Sequence, residues 1–145
     1  MSVAIVNLQK VIAITPAVTA TIHKLVRTTC RLRQISCRQV SVCMVDNARI
    51  RRLNRRWLNV NASTDVLAFD LRDRGRYPRA VIGDIVVSTE KARSNARLYK
   101  TSTLYEVYLY VVHGMLHLAG QKDTTHRLRL AMEQGARRIL AHVYP

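Results

Sequence analysis

The chain has 145 residues, a length that predicts one domain over 1–145 with a single core. Hydrophobic residues make up 48%, which excludes a disordered chain, and 24 Lys+Arg against nine Asp+Glu give a formal net charge of +15. Nineteen of the basic residues are Arg, whose planar forks match phosphate oxygens in pairs, so a phosphate-rich partner such as RNA or DNA is expected.

Val3–Asn7 reads as a short strand. Thr15-Pro16 is a helix start, a capping hydroxyl followed by a proline at the first helical position, and Val18, Ile22, Leu25 and Val26 give that helix its apolar stripe. Gln39–Val45 is rich in β-branched residues and reads as a buried strand. Asp46 can cap the next helix. There Ile50, Leu53, Asn54 and Trp57 share one face, while Arg49, Arg51, Arg52, Arg55 and Arg56 crowd the other. Asp65–Phe69 is a second core strand. Arg72–Arg79 holds a Gly, a Pro and four Arg and reads as a loop. Val81–Val87, with Gly83 and Asp84 inside it, is a third core strand that can pair antiparallel with Asp65–Phe69. Ser88 or Thr89 caps a helix to about Tyr99. Thr103-x-x-Glu106 has the capping-box pattern and opens a helix through Leu118, ended by Gly120. A last helix starts near Thr125 and carries Leu128, Met132 and Ile139 inward. The order predicts an α+β fold, a small mixed four-stranded sheet packed with about five helices.

No apolar run reaches the ~18–20 residues of a membrane span, since Val107–Leu118 is broken by His113 and His117. The N-terminus lacks a basic stretch ahead of its apolar residues, so a secretory signal is not expected. Three cysteines, Cys30, Cys37 and Cys43, without a C-x-x-C, argue for reduced thiols with no disulfide partner.

His113 and His117 stand at i and i+4, so both imidazoles leave one helix face a turn apart and can share a metal ion. Gly114 occupies the place where a metalloprotease carries its general-base Glu, which removes a peptidase reading. Gly120 stops the helix and turns the chain back, so a residue just beyond it, Asp123 or His126, can reach the open side of the pair. Two helix-borne ligands and one from a following loop leave a coordination position for water, the layout of a catalytic centre.

The stretch His113-Gly114-Met115-Leu116-His117-Leu118-Ala119-Gly120 resembles the H-G-x-L-H-L-x-G motif of the YbeY family of metal-dependent endoribonucleases. Leu53-Asn54-Arg55-Arg56-Trp57 resembles that family's L-N-x-x-[YW] helix end, Ser63–Phe69 its P-T-D-V-L-S-F segment, and Ile82–Ser88 its L-G-D-I-x-I-S strand. The resemblance covers roughly Val40 to Leu140. It implies a cytoplasmic, single-strand-specific endoribonuclease acting in ribosomal RNA maturation and ribosome quality control. It also implies one Zn²⁺ per chain, and RNA, with the ribosomal subunit, as partner. The donor set also suits other divalent transition metals. The family's third ligand is a His ten residues after the first, and Asp123 holds that place here, with His126 as the alternative. The resemblance implies an Arg directly after the [YW] that assists catalysis, and Leu58 stands there instead, so the catalytic residue is left unassigned, with a metal-bound water as the candidate. Arg51, Arg52, Arg55 and Arg56 of the second helix and Arg72, Arg74, Arg76 and Arg79 of the loop are the RNA-binding candidates. Two other classes stand beside this one. One is a non-catalytic RNA-binding assembly factor with a structural or vestigial metal site, which Leu58 favours. The other is a small-molecule hydrolase, which a charge of +15 disfavours.

Overall fold

The computed structural model describes residues 1–72 and 80–145. Arg74, Arg76 and Arg79 lie outside the described residues. Four strands and five helices follow in the order β1 (Ser2–Leu8), α1 (Pro16–Leu32), β2 (Ser36–Val45), α2 (Asn47–Leu58), β3 (Val66–Asp70), β4 (Ala80–Ser88), α3 (Thr89–Tyr99), α4 (Thr103–Leu118) and α5 (His126–Val143). The sheet is mixed, with strand order β1-β2-β4-β3. β1, β2 and β4 run parallel, and β3 pairs antiparallel with β4 from Val66 opposite Val87 to Asp70 opposite Gly83. The chain is thus an α+β fold, with β3 and β4 paired as their adjacency in sequence suggests.

The sheet carries two unequal layers. Val40, Val42, Met44, Ile85 and Val87 face the larger core, with Ile22, Leu25, Val111, Met115 and Leu140 from the helices. On the opposite face Val45, Leu67 and Val86 meet Ile50 and Leu53 of α2 alone. Strand alternation therefore sends odd residues of β4 to α4 and even ones to α2. α4 is the central helix: it packs on α1, α3, α5, β3 and β4. That environment explains its apolar composition on nearly every side, with Val107, Val111, Val112, Met115 and Leu116 fully buried.

The helix ends are set by side chains. Thr15, Asp46, Ser88 and Thr125 accept hydrogen bonds from the backbone N–H three residues on, and open α1, α2, α3 and α5. In α4 the cap is Ser102, whose hydroxyl accepts from Tyr105 N at 3.1 Å, and not Thr103. Glu106 is therefore not closing a capping box; its buried carboxylate accepts the Thr101 hydroxyl at 3.0 Å. Two apolar residues also depart from expectation. Leu128 is 38% exposed, and the buried stripe of α5 is Met132, Ala136, Ile139 and Leu140. Trp57 is 62% exposed, with the Arg56 guanidinium 5.2 Å from its ring centroid. Among the described residues no helix is long and apolar enough to cross a membrane.

Candidate metal centre and adjoining cleft

α4 brings His113 and His117 to its own C-terminal half. Its end is a Schellman turn: Gly120 N donates to His117 O at 2.9 Å and Gln121 N to Leu116 O at 3.0 Å, with Gly120 at φ +96°. That left-handed residue reverses the chain and lays Asp123 across the histidine pair. His113 Nε2 and His117 Nε2 are 3.0 Å apart, and Asp123 Oδ2 lies 3.3 Å from His117 Nε2 and 3.8 Å from His113 Nε2. Ligands held at ~2.0–2.1 Å around a tetrahedral ion are separated by about 3.3 Å. Three lone-pair-bearing atoms at that spacing can hold one divalent cation, and all three side chains are half-buried. Burial, and next to it the neighbouring His117, push the His113 pKa below the ordinary imidazole value, against Asp65 and Asp123. The ring therefore favours its neutral, ligating form. His126, the first residue of α5, is exposed and is not one of the three converging residues.

A cleft of about 320 Å³ opens on His113 and Asp123. α3 and α4 give it Asn95, Tyr99 and Tyr110, and Asn95 Nδ2 donates to the Tyr110 hydroxyl oxygen at 2.6 Å. α5 gives it Arg129, Glu133 and Arg137, the last two ion-paired at 2.7 Å. Asp65, which accepts from Val66 N at 2.8 Å, and buried Glu106 complete the acidic part of the lining. Burial raises the Glu106 carboxyl above its ordinary value, more than the Thr101 hydroxyl and Arg137 lower it. The sequence pattern did not single out the α5 residues. Their only local signature is the i,i+4 spacing of Glu133 and Arg137, and what makes them cleft residues is the packing of α5 on α4.

The remaining expected residues sit elsewhere. Arg51, Arg52, Arg55 and Arg56 are exposed on α2, and Arg51 Nε donates to Asn61 Oδ1 at 2.9 Å. Arg72 is a correction to the RNA-binding set. Its side chain is 7% exposed, with Nε on the Asp70 carboxylate at 3.1 Å, Nη1 on Ala80 O at 2.8 Å and Nη2 on Leu118 O at 2.7 Å. All three nitrogens are engaged inside the fold. Leu58 ends α2 in solvent, 52% exposed, and does not line the cleft. Asp84 lies on the α2 side of the sheet, in a groove with Leu53, Trp57, Phe69, Leu71 and Val86, away from the histidine pair.

The sequence profile described as Endoribonuclease YbeY matches residues 4–144. The Endoribonuclease YbeY of Elusimicrobium minutum is 36% identical over 106 residues, 72% of this chain and 74% of that protein. That of Geobacillus kaustophilus is 39% identical over 111 residues, 71% of each. The solution structure of TM1509 from Thermotoga maritima has the same fold, with a TM-score of 0.62 at 21% identity, covering 97% of this chain and 90% of that one.

Proposed function

The chain belongs to the YbeY family of endoribonucleases, and from that premise we propose that it is a metal-dependent endoribonuclease specific for single-stranded RNA. Its role is in ribosomal RNA maturation and ribosome quality control in the cytoplasm, as one domain with the ribosomal subunit as partner. The observation that carries this reading is the convergence of His113 Nε2, His117 Nε2 and Asp123 Oδ2 at the mouth of a cleft. Two imidazoles and a carboxylate suit one Zn²⁺ per chain, and also Fe²⁺, Mn²⁺ or Ni²⁺. Held by these three residues, such an ion would polarise a phosphodiester oxygen and acidify a bound water. The chain's own residues arrange the rest. His113 is kept neutral by burial, so its lone pair stays available at Nε2. The Schellman turn at Gly120 fixes where Asp123 stands relative to the pair. Arg51, Arg52, Arg55 and Arg56 present a cationic helix face for the RNA backbone.

The second reading, a non-catalytic RNA-binding assembly factor, draws on Leu58, which cannot supply positive charge and lies outside the cleft. Incubating the full chain with a single-stranded RNA, with and without a chelator, and with His117→Ala alongside, separates the two. Cleavage that chelation and His117→Ala both abolish is expected. RNA binding without cleavage at full metal occupancy would establish the second reading instead.

A further inference from the structure

On the endoribonuclease reading above, we propose that Arg129 is the phosphate-binding residue of the cleft, taking a phosphodiester of single-stranded RNA beside the His113–His117–Asp123 group. The argument starts from the cleft's charges. Four carboxylates line it, and each has a partner: Asp65 with Val66 N, Glu106 with the Thr101 hydroxyl, Asp123 with His117, and Glu133 with Arg137. Of its two arginines, Arg137 is held by Glu133 at 2.7 Å. Among the described residues the Arg129 guanidinium makes no ion pair or hydrogen bond. It is an unneutralised fork of donors facing the same space as the candidate metal ligands.

Arg129 lies one turn into α5, whose first turn contains no acidic residue, so its charge opposes the positive end of the helix dipole. An anionic ligand removes that conflict. The volume, about 320 Å³, is at the lower end of small-ligand sites and accommodates one nucleotide unit. Tyr99, 60% exposed and lining the same cleft, offers a ring for a base to stack on. A guanidinium, an exposed aromatic ring and a cation site around one cleft match the three parts of an RNA link: phosphate, base and scissile bond.

The test uses the metal-loaded full chain and a 2′-O-methylated oligouridine, with affinity followed by anisotropy as salt is raised. Arg129→Gln should weaken binding roughly tenfold and lower the log–log salt slope by about 0.7, one phosphate's share for a single strand. Metal content should be unchanged. Arg129→Lys should keep the slope and recover part of the affinity. Arg127→Gln removes the same charge two positions away, outside the cleft lining, and should match the parent. An Arg129→Gln protein indistinguishable from Arg127→Gln would overturn the assignment. So would loss of metal in Arg129→Gln, because Arg129 would then be holding the centre and not the ligand. A parent that neither binds nor cleaves RNA would overturn the endoribonuclease reading, and this inference with it. A parent that does both, with Arg129→Gln unaltered, overturns this inference alone.

Discussion

Gly114→Ala puts one methyl group where α4 lies hard against Ile85 of β4. A Cβ built at Gly114 falls 2.7 Å from Ile85 Cγ2, 3.1 Å from Cγ1 and 3.3 Å from Cδ1. Carbon atoms rest comfortably at ~3.5–4.0 Å, so the helix and strand must part by about 0.8 Å or Ile85 must leave its rotamer. Ile85 is fully buried and β-branched, which makes the second route costly. Overpacking of this kind costs about 1–3 kcal/mol, and alanine's better helix propensity returns ~1 kcal/mol. With three close contacts on one immobile side chain, the upper end applies, for a net loss of about 2 kcal/mol. At ~2–4 °C per kcal/mol for a chain of this size, Tm should fall by roughly 4–8 °C in a circular-dichroism melt. The function should suffer more than the stability. His113 is the adjacent residue, and metal–ligand distances tolerate only about 0.2 Å. Competition with a chromogenic chelator should therefore show weakened metal affinity. Adding Ile85→Ala to Gly114→Ala removes all three contacts, so the double variant should cost less than the two single losses added together. A Gly114→Ala protein with parental Tm and parental metal affinity would refute the claim that this close approach positions His113.

Other expectations follow from the same geometry. His117→Ala should lose metal by elemental analysis, Asp123→Ala should lose a large part of it, and His126→Ala should retain it, since only the first two residues converge with His113. Full occupancy in Asp123→Ala with loss in His126→Ala would reverse the ligand assignment. The metal-free protein should become less stable as pH falls through the ordinary imidazole range. The folded state holds His113 below its usual pKa, so the unfolded chain takes up the proton first and is favoured by acid. Urea titrations of the parent and His113→Gln should show that part of the pH dependence in the parent only. Replacing Arg51, Arg52, Arg55 and Arg56 together with Gln should flatten the salt dependence of RNA binding and leave metal content intact. Unaltered RNA affinity would make α2 a merely solvated face.

What could be read ahead of the structure was local. The i,i+4 spacing of His113 and His117, the caps at Thr15 and Asp46, and the glycine stop at position 120 each depend on a few adjacent residues, and each stands where the pattern puts it. What escaped depends on partners distant along the chain. Arg72 reads as one more basic loop residue because nothing near it reveals that Leu118 O, 46 positions on, is its acceptor. Trp57 and Leu128 follow their helical stripes yet stay in solvent, because periodicity gives the phase of a helix and not how far its neighbours extend. Glu106 fits a capping-box spacing, but Ser102 takes the cap and leaves the carboxylate to the Thr101 hydroxyl. The cleft is the extreme case. Its lining runs from Asp65 to Arg137 through α3, α4 and α5, and nothing local in any one of these segments shows that they meet around one space.

The three-way grip of Arg72 also bears on how this chain can change length. One guanidinium holds Asp70 at the end of β3, the carbonyl of Ala80 where β4 begins, and the last turn of α4. The exit from one strand and the entry to the next are thereby tied at a separation that the intervening stretch does not have to maintain. Closing a chain between fixed ends becomes only slowly harder with length, about 0.6 kcal/mol for each doubling. Residues inserted between Arg72 and Ala80 would thus burden the fold little, and the register of β3 on β4 would not depend on them. The same knot fastens the C-terminal turn of α4, the helix that carries both histidines. Together with the Leu71 N–H bond to Ile82 O at 2.9 Å, that one side chain ties the strand ends to the helix that holds the histidine pair.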